Sequence, residues 1–339
     1  MMLRATAKIR LGKPHKRTTM GLTLLVVVLC FVLAPRVQES WASQSAMFFA
    51  EQRELPPHPP ARTVVGISTF SQRVFNMRGF LDSVFAQSQL PDRIIISIPK
   101  KFRVLEPTAG ASPDDYNATV RHNETELDMV DWVHKYTGIP YVFHVNHDVH
   151  KTSYVYDMGI LTVQFLDDDP WGPALKVIGV LLLEKDPETV IITLDDDLVY
   201  HRDTVKWLTT HVQPGMALSF GCEMWREDRS DFIDWTIGDF FYMTTPRVCA
   251  GWLCGWTGVA YYVSSFRADI YTFMQALPAG CFNNDDMWLS GYLARQGVTR
   301  MYTPNILKHG RTNRIRKLSL SAIVNYREKG YSCGRHLFP

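Results

Sequence analysis

Apolar residues in this chain fall into short continuous runs separated by segments of helical period, and that alternation sets the expected architecture. Thr63-Val64-Val65-Gly66-Ile67-Ser68-Thr69-Phe70 reads as a strand buried on both faces. Phe80, Leu81, Val84 and Phe85 recur at helical spacing within Met77–Gln87, and Arg93-Ile94-Ile95-Ile96-Ser97-Ile98, closed by Pro99, forms a second buried-strand pattern. Strand, helix and strand in that order make the βαβ unit of a parallel sheet. Residues 103–125 are polar and predict a surface insertion. A helix is predicted over Glu126–Thr137 and a third strand over Pro140–Val145. A helical run over Ala174–Lys185 leads into Val190-Ile191-Ile192-Thr193-Leu194, again a buried strand. Residues 216–263, rich in Trp, Tyr, Cys and Gly, predict a mixed-sheet half lying over the first, with room for another substrate. The repeated alternation predicts one α/β domain from about residue 62 to the end.

Composition changes this picture mainly at the N-terminus. The 339 residues are 46% hydrophobic and 12% aromatic, enough for a sizeable core, and a net charge of +2 gives no general preference for nucleic acid. The basic residues are uneven. Arg4, Lys8, Arg10, Lys13, Lys16 and Arg17 crowd residues 1–17 with no acid among them. Residues 18–37 that follow are long and apolar enough to span a bilayer. The basic stretch is long for a cleaved signal peptide, although Ser40-Trp41-Ala42 would suit a cut site, so an uncleaved signal-anchor is expected. Basic residues ahead of it hold the N-terminus in the cytoplasm and send the remainder into the lumen. Residues 38–61, ending in Leu55-Pro56-Pro57-His58-Pro59-Pro60, read as a stiff stem, and residues 62–339 as the luminal domain. Two sequons, at Asn117 and Asn123, agree with that side of the membrane. Five cysteines after the membrane segment allow up to two disulfides and one remaining thiol.

The candidate chemistry gathers at Asp195-Asp196-Asp197. Charge cannot remain unpaired inside a buried strand, so the triplet should emerge at the carboxyl end of Val190–Leu194, the edge where open α/β sheets bind ligands. Clustered carboxylates at that edge suit Mg²⁺ or Mn²⁺, although capping of a following turn would also use them. Asp285 and Asp286 enter a helix whose apolar face includes Leu289 and Leu293; they are either first-turn caps or a source of a general base, Asp286. His309 is a possible completing metal ligand, and Arg311, Arg314, Arg316 and Lys317 could neutralise a diphosphate or simply be solvated. The second triplet, Asp167-Asp168-Asp169, follows no comparably apolar strand and is expected to cap the next helix. Trp252, Trp256 and Trp288 are either sugar-stacking platforms or core.

Taken in order, these residues resemble the nucleotide-sugar glycosyltransferases of the GT-A fold, in particular type II membrane enzymes of the secretory pathway. The resemblance covers roughly residues 63–310. Val64–Phe70 with Thr69 and Arg73 is similar to the opening strand and loop that contacts the nucleotide. Phe80–Ser88, with its Ser83-x-x-x-Gln87 pattern, resembles the first helix, and Gly172-Pro173-Ala174-Leu175-Lys176 the segment that closes over the nucleotide. Asp195 and Asp197 match the D-x-D motif, Asp285-Asp286 the late acidic pair, and His309 the late metal-binding histidine. The first acid of the late pair is Asp where the family pattern has Glu, and three consecutive aspartates leave the metal register open.

The resemblance implies a Rossmann-like parallel or mixed sheet flanked by helices in a single GT-A-like domain. It also implies transfer of a sugar from a nucleotide-diphosphate donor, a UDP-sugar being favoured, to a hydroxyl on a glycan, protein or lipid. Mn²⁺ or Mg²⁺ would sit on Asp195, Asp197 and His309. Thr69, Arg73, Lys176, Asp195, Asp196 and Arg311 would contact the donor, and Asp285 and Asp286 would be catalytic. The expected location is a Golgi or endoplasmic reticulum membrane, or secretion if the N-terminal segment is cleaved. A non-catalytic binding protein of the same fold and a metal-dependent hydrolase are the rival readings; no G-x-S-x-G or HExxH motif favours the latter.

Overall fold

The computed structural model describes residues 60, 62–104, 118–121, 125–225, 232–234, 247–303, 310–311, 333 and 337, all within the second of two units, Pro57–Pro339. β1 (Arg62–Ser68) is followed by the single turn α1 (Ser71–Val74), by α2 (Arg78–Phe85) and by β2 (Arg93–Pro99). An antiparallel pair, β3 (Lys101–Val104) and β4 (Ala118–Arg121), precedes α3 (Glu126–Thr137). β5 (Val142–His147), β6 (Thr152–Met158) and β7 (Leu161–Leu166) form a meander, from which α4 (Leu175–Leu183) crosses to β8 (Thr189–Thr193). Next come β9 (Leu198–Val199), α5 (Thr204–His211), β10 (Met216–Ser219), β11 (Cys222–Trp225), β12 (Phe232–Asp234), β13 (Arg247–Val248), β14 (Trp252–Leu253) and β15 (Val259–Tyr262). α6 (Ile270–Phe273), α7 (Asp285–Arg295), β16 (Thr299–Tyr302) and β17 (Gly310–Arg311) complete the described elements.

Ten strands share one mixed sheet in the order β13-β16-β10-β15-β8-β1-β2-β7-β6-β5. Its centre, β8-β1-β2-β7, is parallel, and antiparallel strands flank it on both sides. The period-2 alternation of a strand sends successive side chains to opposite faces. Val64 and Ile191 therefore join a core with α4 and α7, while Val65, Ile67, Val190 and Ile192 join a core with α2, α3 and α5. Helices on both faces explain why the central strands read as continuous apolar runs. α4 is buried from Leu175 through Leu182, and it approaches the sheet closely where Gly66 and Gly179 lack side chains.

The structure departs from the sequence pattern in two places: residues 216–263 extend the same sheet through β10 and β15 instead of lying over it, and the strands beyond β2 differ. The strand beside β2 is β7, buried along its whole length, while β5 is a largely exposed antiparallel edge. β7 is hidden in the sequence because Thr162 and Gln164 interrupt its apolar run. Both are buried and satisfied: Arg93 donates to Thr162 at 2.8 Å, Thr162 to Asp157 at 2.6 Å, and Gln164 to Ser153 at 2.8 Å.

Two disulfides form, Cys222–Cys249 and Cys281–Cys333, while Cys254 is buried outside both. Among the described residues no helix is long and apolar enough to cross a membrane. The basic tail, the 18–37 segment, the stem apart from Pro60, and both sequon asparagines lie outside the described residues.

Candidate active site

The parallel centre of the sheet brings the ends of β1 and β8 to one edge, and most of the candidate residues gather there. Asp195–Asp197 leave the sheet directly after β8 and the buried Leu194. Asp196 is turned inward. Thr69 Oγ1 donates to its Oδ2 at 2.5 Å, and the Arg73 guanidinium forms an ion pair with it and reaches Asp197 Oδ2 at 3.0 Å. Burial pushes the Asp196 carboxyl up to about 6 against the opposing pull of Arg73 and Thr69. Asp195 and Asp197 instead keep side chains 31% and 30% exposed. Of the three aspartates, Asp195 and Asp197 are therefore the two that stay partly exposed. Thr69 and Arg73, themselves buried, support the triplet from beneath.

The second group comes from α4 and α7. Gly172, at φ 56°, turns the chain into the 3₁₀ turn Gly172–Ala174, and the first turn of α4 then carries Lys176 inward. Its buried ammonium lies 2.9 Å from Asp195 Oδ1, 2.9 Å from Asp285 Oδ2 and 3.9 Å from Asp286 Oδ1. The two late acids occupy the first turn of α7, where the helix end favours negative charge. Asp286 Oδ2 also accepts the Gly255 N–H at 2.8 Å. A Cβ on Gly255 would lie 2.3 Å from Asp286 Oδ1 and 2.7 Å from Lys176 Nζ, so a larger residue there would displace those two groups.

Among the described residues, five carboxylates thus meet two cations, Lys176 and Arg73. Burial raises the Asp286 carboxyl well above the usual carboxylate range, with the adjacent Asp285 adding to it; Asp285 is raised by burial against the pull of Lys176. Lys176 is held charged because three carboxylates outweigh its desolvation.

A third feature carried no motif. The Tyr200 hydroxyl accepts the Asp195 N–H at 2.8 Å and donates to the Trp256 carbonyl at 3.2 Å. Burial, with Asp195 nearby, pushes this phenol well above the usual tyrosine range, so it stays protonated and serves both partners. The Ser83-x-x-x-Gln87 pattern fastens the same segment. Tyr200 N–H donates to Ser83 Oγ at 3.1 Å, Gln87 donates to the His201 carbonyl at 2.8 Å, and Val205 N–H donates to Gln87 at 2.9 Å. The sequence signal for Tyr200 was only its position, five residues after Asp195.

Other expectations separate. Trp252 and Trp288 are fully buried core residues and cannot serve as sugar platforms, whereas Trp256 is half-buried. The second triplet does end a buried central strand, β7, contrary to its reading from sequence, and its members divide. Asp167 pairs with Lys100 at 2.9 Å, Asp168 pairs with Lys151, and only Asp169 caps, accepting the Gly172 N–H at 2.9 Å. His309, Arg314, Arg316 and Lys317 lie outside the described residues. The backbone of Gly310 and Arg311 pairs with Val199 and Leu198, just past the first triplet.

Among the described residues no three His, Cys, Asp or Glu side chains are arranged to hold a metal. Asp195 and Asp197, partly exposed and paired with Lys176 and Arg73, offer two hard oxygen donors. That combination suits a cation of the Mg²⁺ or Mn²⁺ type, which binds through one or two carboxylates together with a ligand's phosphates rather than in an all-protein cage.

No family model matches the chain, and no similar curated protein was found. Among solved structures, the crystal structure of residues 1–349 of S. aureus TarS is similar over 72% of this chain, with 11% identity and a TM-score of 0.40. The crystal structure of S. aureus TarS is similar over 72% of this chain, with 10% identity and a TM-score of 0.40. The chain spans 58% of the first of these and 35% of the second.

Proposed function

We propose that this chain is a GT-A-like glycosyltransferase (EC 2.4 class) that moves a sugar from a nucleotide-diphosphate donor, a UDP-sugar by preference, to an acceptor hydroxyl. The observation that carries the reading is the sharing of one ammonium. Lys176 bridges Asp195, at the end of β8, and the Asp285–Asp286 pair opening α7, so a metal-type carboxylate and a base-type carboxylate meet at one sheet edge. We extend the proposal to a single-pass anchor over residues 18–37 in a Golgi or endoplasmic reticulum membrane, with the catalytic domain in the lumen.

In this mechanism Asp195 and Asp197, with His309 as a further candidate, would hold Mn²⁺ or Mg²⁺, which would supply positive charge against that building on the departing diphosphate. Asp196 keeps the triplet's backbone in register through Thr69 and Arg73. Arg311 is assigned to the donor side because its strand lies against β9. Asp286 is the base. One of its oxygens is committed to the Gly255 N–H and the other lies 3.9 Å from the Lys176 ammonium, which favours the ionised form that would take a proton from the acceptor hydroxyl. Asp285, in contact with Lys176, fixes the ammonium between the two halves.

The test is nucleotide release from UDP- and GDP-sugars by the full-length chain, with Mn²⁺ or with EDTA, beside Asp197→Ala and Asp286→Asn. Release that requires both metal and Asp197 supports the reading. A folded chain that neither releases nor binds any nucleotide, with or without Mn²⁺, would overturn it.

A further inference from the structure

The two halves of the candidate site are joined by a second connection besides the Lys176 ammonium, and it is neutral. Tyr200 is 4% exposed and packs edge-on against Phe80, with ring centroids 6.1 Å apart. Its hydroxyl takes the Asp195 N–H from one side and gives its proton to the Trp256 carbonyl on the other. Trp256 lies in the 3₁₀ turn Gly255–Thr257, whose first residue donates its N–H to Asp286. From beneath, Ser219 Oγ fixes the same turn, within hydrogen-bond distance of the Cys254 carbonyl (3.2 Å), Thr257 Oγ1 (2.9 Å) and the Gly258 carbonyl (3.0 Å). The chain of contacts runs from the Asp195 backbone through one phenol to the turn that orients Asp286.

We propose that Tyr200 is a positioning residue: its hydroxyl is a strut that sets the separation between the aspartate triplet and Asp286 by binding main-chain atoms on both sides. The catalytic consequence rests on the transferase reading above, but the strut itself does not. A phenol suits this role because one buried O–H group both accepts and donates, at a fixed length from a rigid ring. Lys176 supplies the ionic attraction between the same halves and has no means of fixing the turn's main chain. Because reacting groups must be held in near-attack geometry, a shift of about 1 Å between metal side and base costs on the order of 100-fold in rate.

The test compares the full-length wild-type chain with Tyr200→Phe and with Tyr271→Phe. The latter removes another buried phenol bond, to the Leu181 carbonyl, away from the triplet and the late acids. Amide exchange is read first, because it needs no substrate. In Tyr200→Phe, peptides covering residues 194–197 and 254–257 should both exchange faster, while Tyr271→Phe leaves both unchanged. Turnover is read second. Tyr200→Phe should lower kcat by about 10- to 100-fold with donor KM held within about threefold. Faster exchange at 194–197 alone, or kcat preserved within about twofold, would overturn the strut. A wild-type chain that neither turns over nor binds nucleotide, yet still shows the paired exchange response, would retain the strut and remove the transferase reading.

Discussion

A Cβ on Gly255 would press on the Asp286 carboxylate and the Lys176 ammonium, both ends of flexible side chains. Gly255→Ala should therefore cost about 100-fold in nucleotide-dependent turnover while circular dichroism and thermal unfolding change little, since the clash is relieved by moving the two charged groups. Full turnover in that variant would remove Asp286 from the chemistry. Asp286→Asn keeps the shape and an acceptor for the Gly255 N–H but loses the basic oxygen, and should lower kcat by about 10²–10⁴. At this scale the acids that gather at the sheet edge could be picked out of the sequence, while the pairing of Asp167 and Asp168 with lysines could not. Asp195, Asp197, Asp285 and Asp286 stand out because carboxylates follow apolar runs or open a helix. Tyr200, Gly255 and Ser219 act through main-chain hydrogen bonds or through the absence of a side chain, and nothing in a residue's identity reports the distant carbonyl it meets. Trp252 and Trp288 took the core alternative of the two the sequence left open, since an indole can serve equally as surface or filling.

Among the elements, α4 sets how close the helix layer comes to the sheet. A Cβ on Gly179 would lie 2.0 Å from Ser97 Oγ and 2.8 Å from Ser97 Cβ. Alanine at a helix interior normally stabilises relative to glycine. Here Gly179→Ala should instead destabilise by about 1–3 kcal/mol through overpacking, and Ser97→Gly in the same chain should restore most of the loss in denaturant unfolding. A more stable single variant would show that α4 can lift away from β2 without cost. β1, β2, α2, α4 and β8 were legible because each carries an uninterrupted period. β7 was not, because a buried polar row of Ser97, Gln164 and Ser153 crosses the strands, and its members satisfy one another only after the sheet has assembled.

For the molecule as a whole, the carboxylate cluster makes stability depend on pH in a direction opposite to ordinary ion pairs. Asp196, Asp285 and Asp286 bind protons more tightly when folded than their ordinary value of 3.8, Asp196 up to about 6. The folded chain therefore holds more protons than the unfolded one above that ordinary value, and stability falls as pH rises through the window. Asp128 and Asp148 have lowered values; their contributions are already complete above 3.8 and do not mask the trend. The thermal midpoint without metal should be a few degrees higher near pH 5 than near pH 8. Mn²⁺ should raise the midpoint more at the higher pH, because it relieves repulsion present only there. A midpoint that climbs from pH 5 to pH 8 without metal would contradict the charge balance assigned to the cluster.

The Cys281–Cys333 bridge closes a covalent ring across a sequence separation of 52, and that ring contains α7 with both late aspartates. On the far side of α7, Leu337 packs against Gly291. A protease cut anywhere between residues 304 and 332 would therefore sever the chain without parting it. The nicked protein would run as one band on a non-reducing gel and release a C-terminal fragment only after reduction. For anyone preparing the protein, a single non-reducing band is then no proof of an intact backbone.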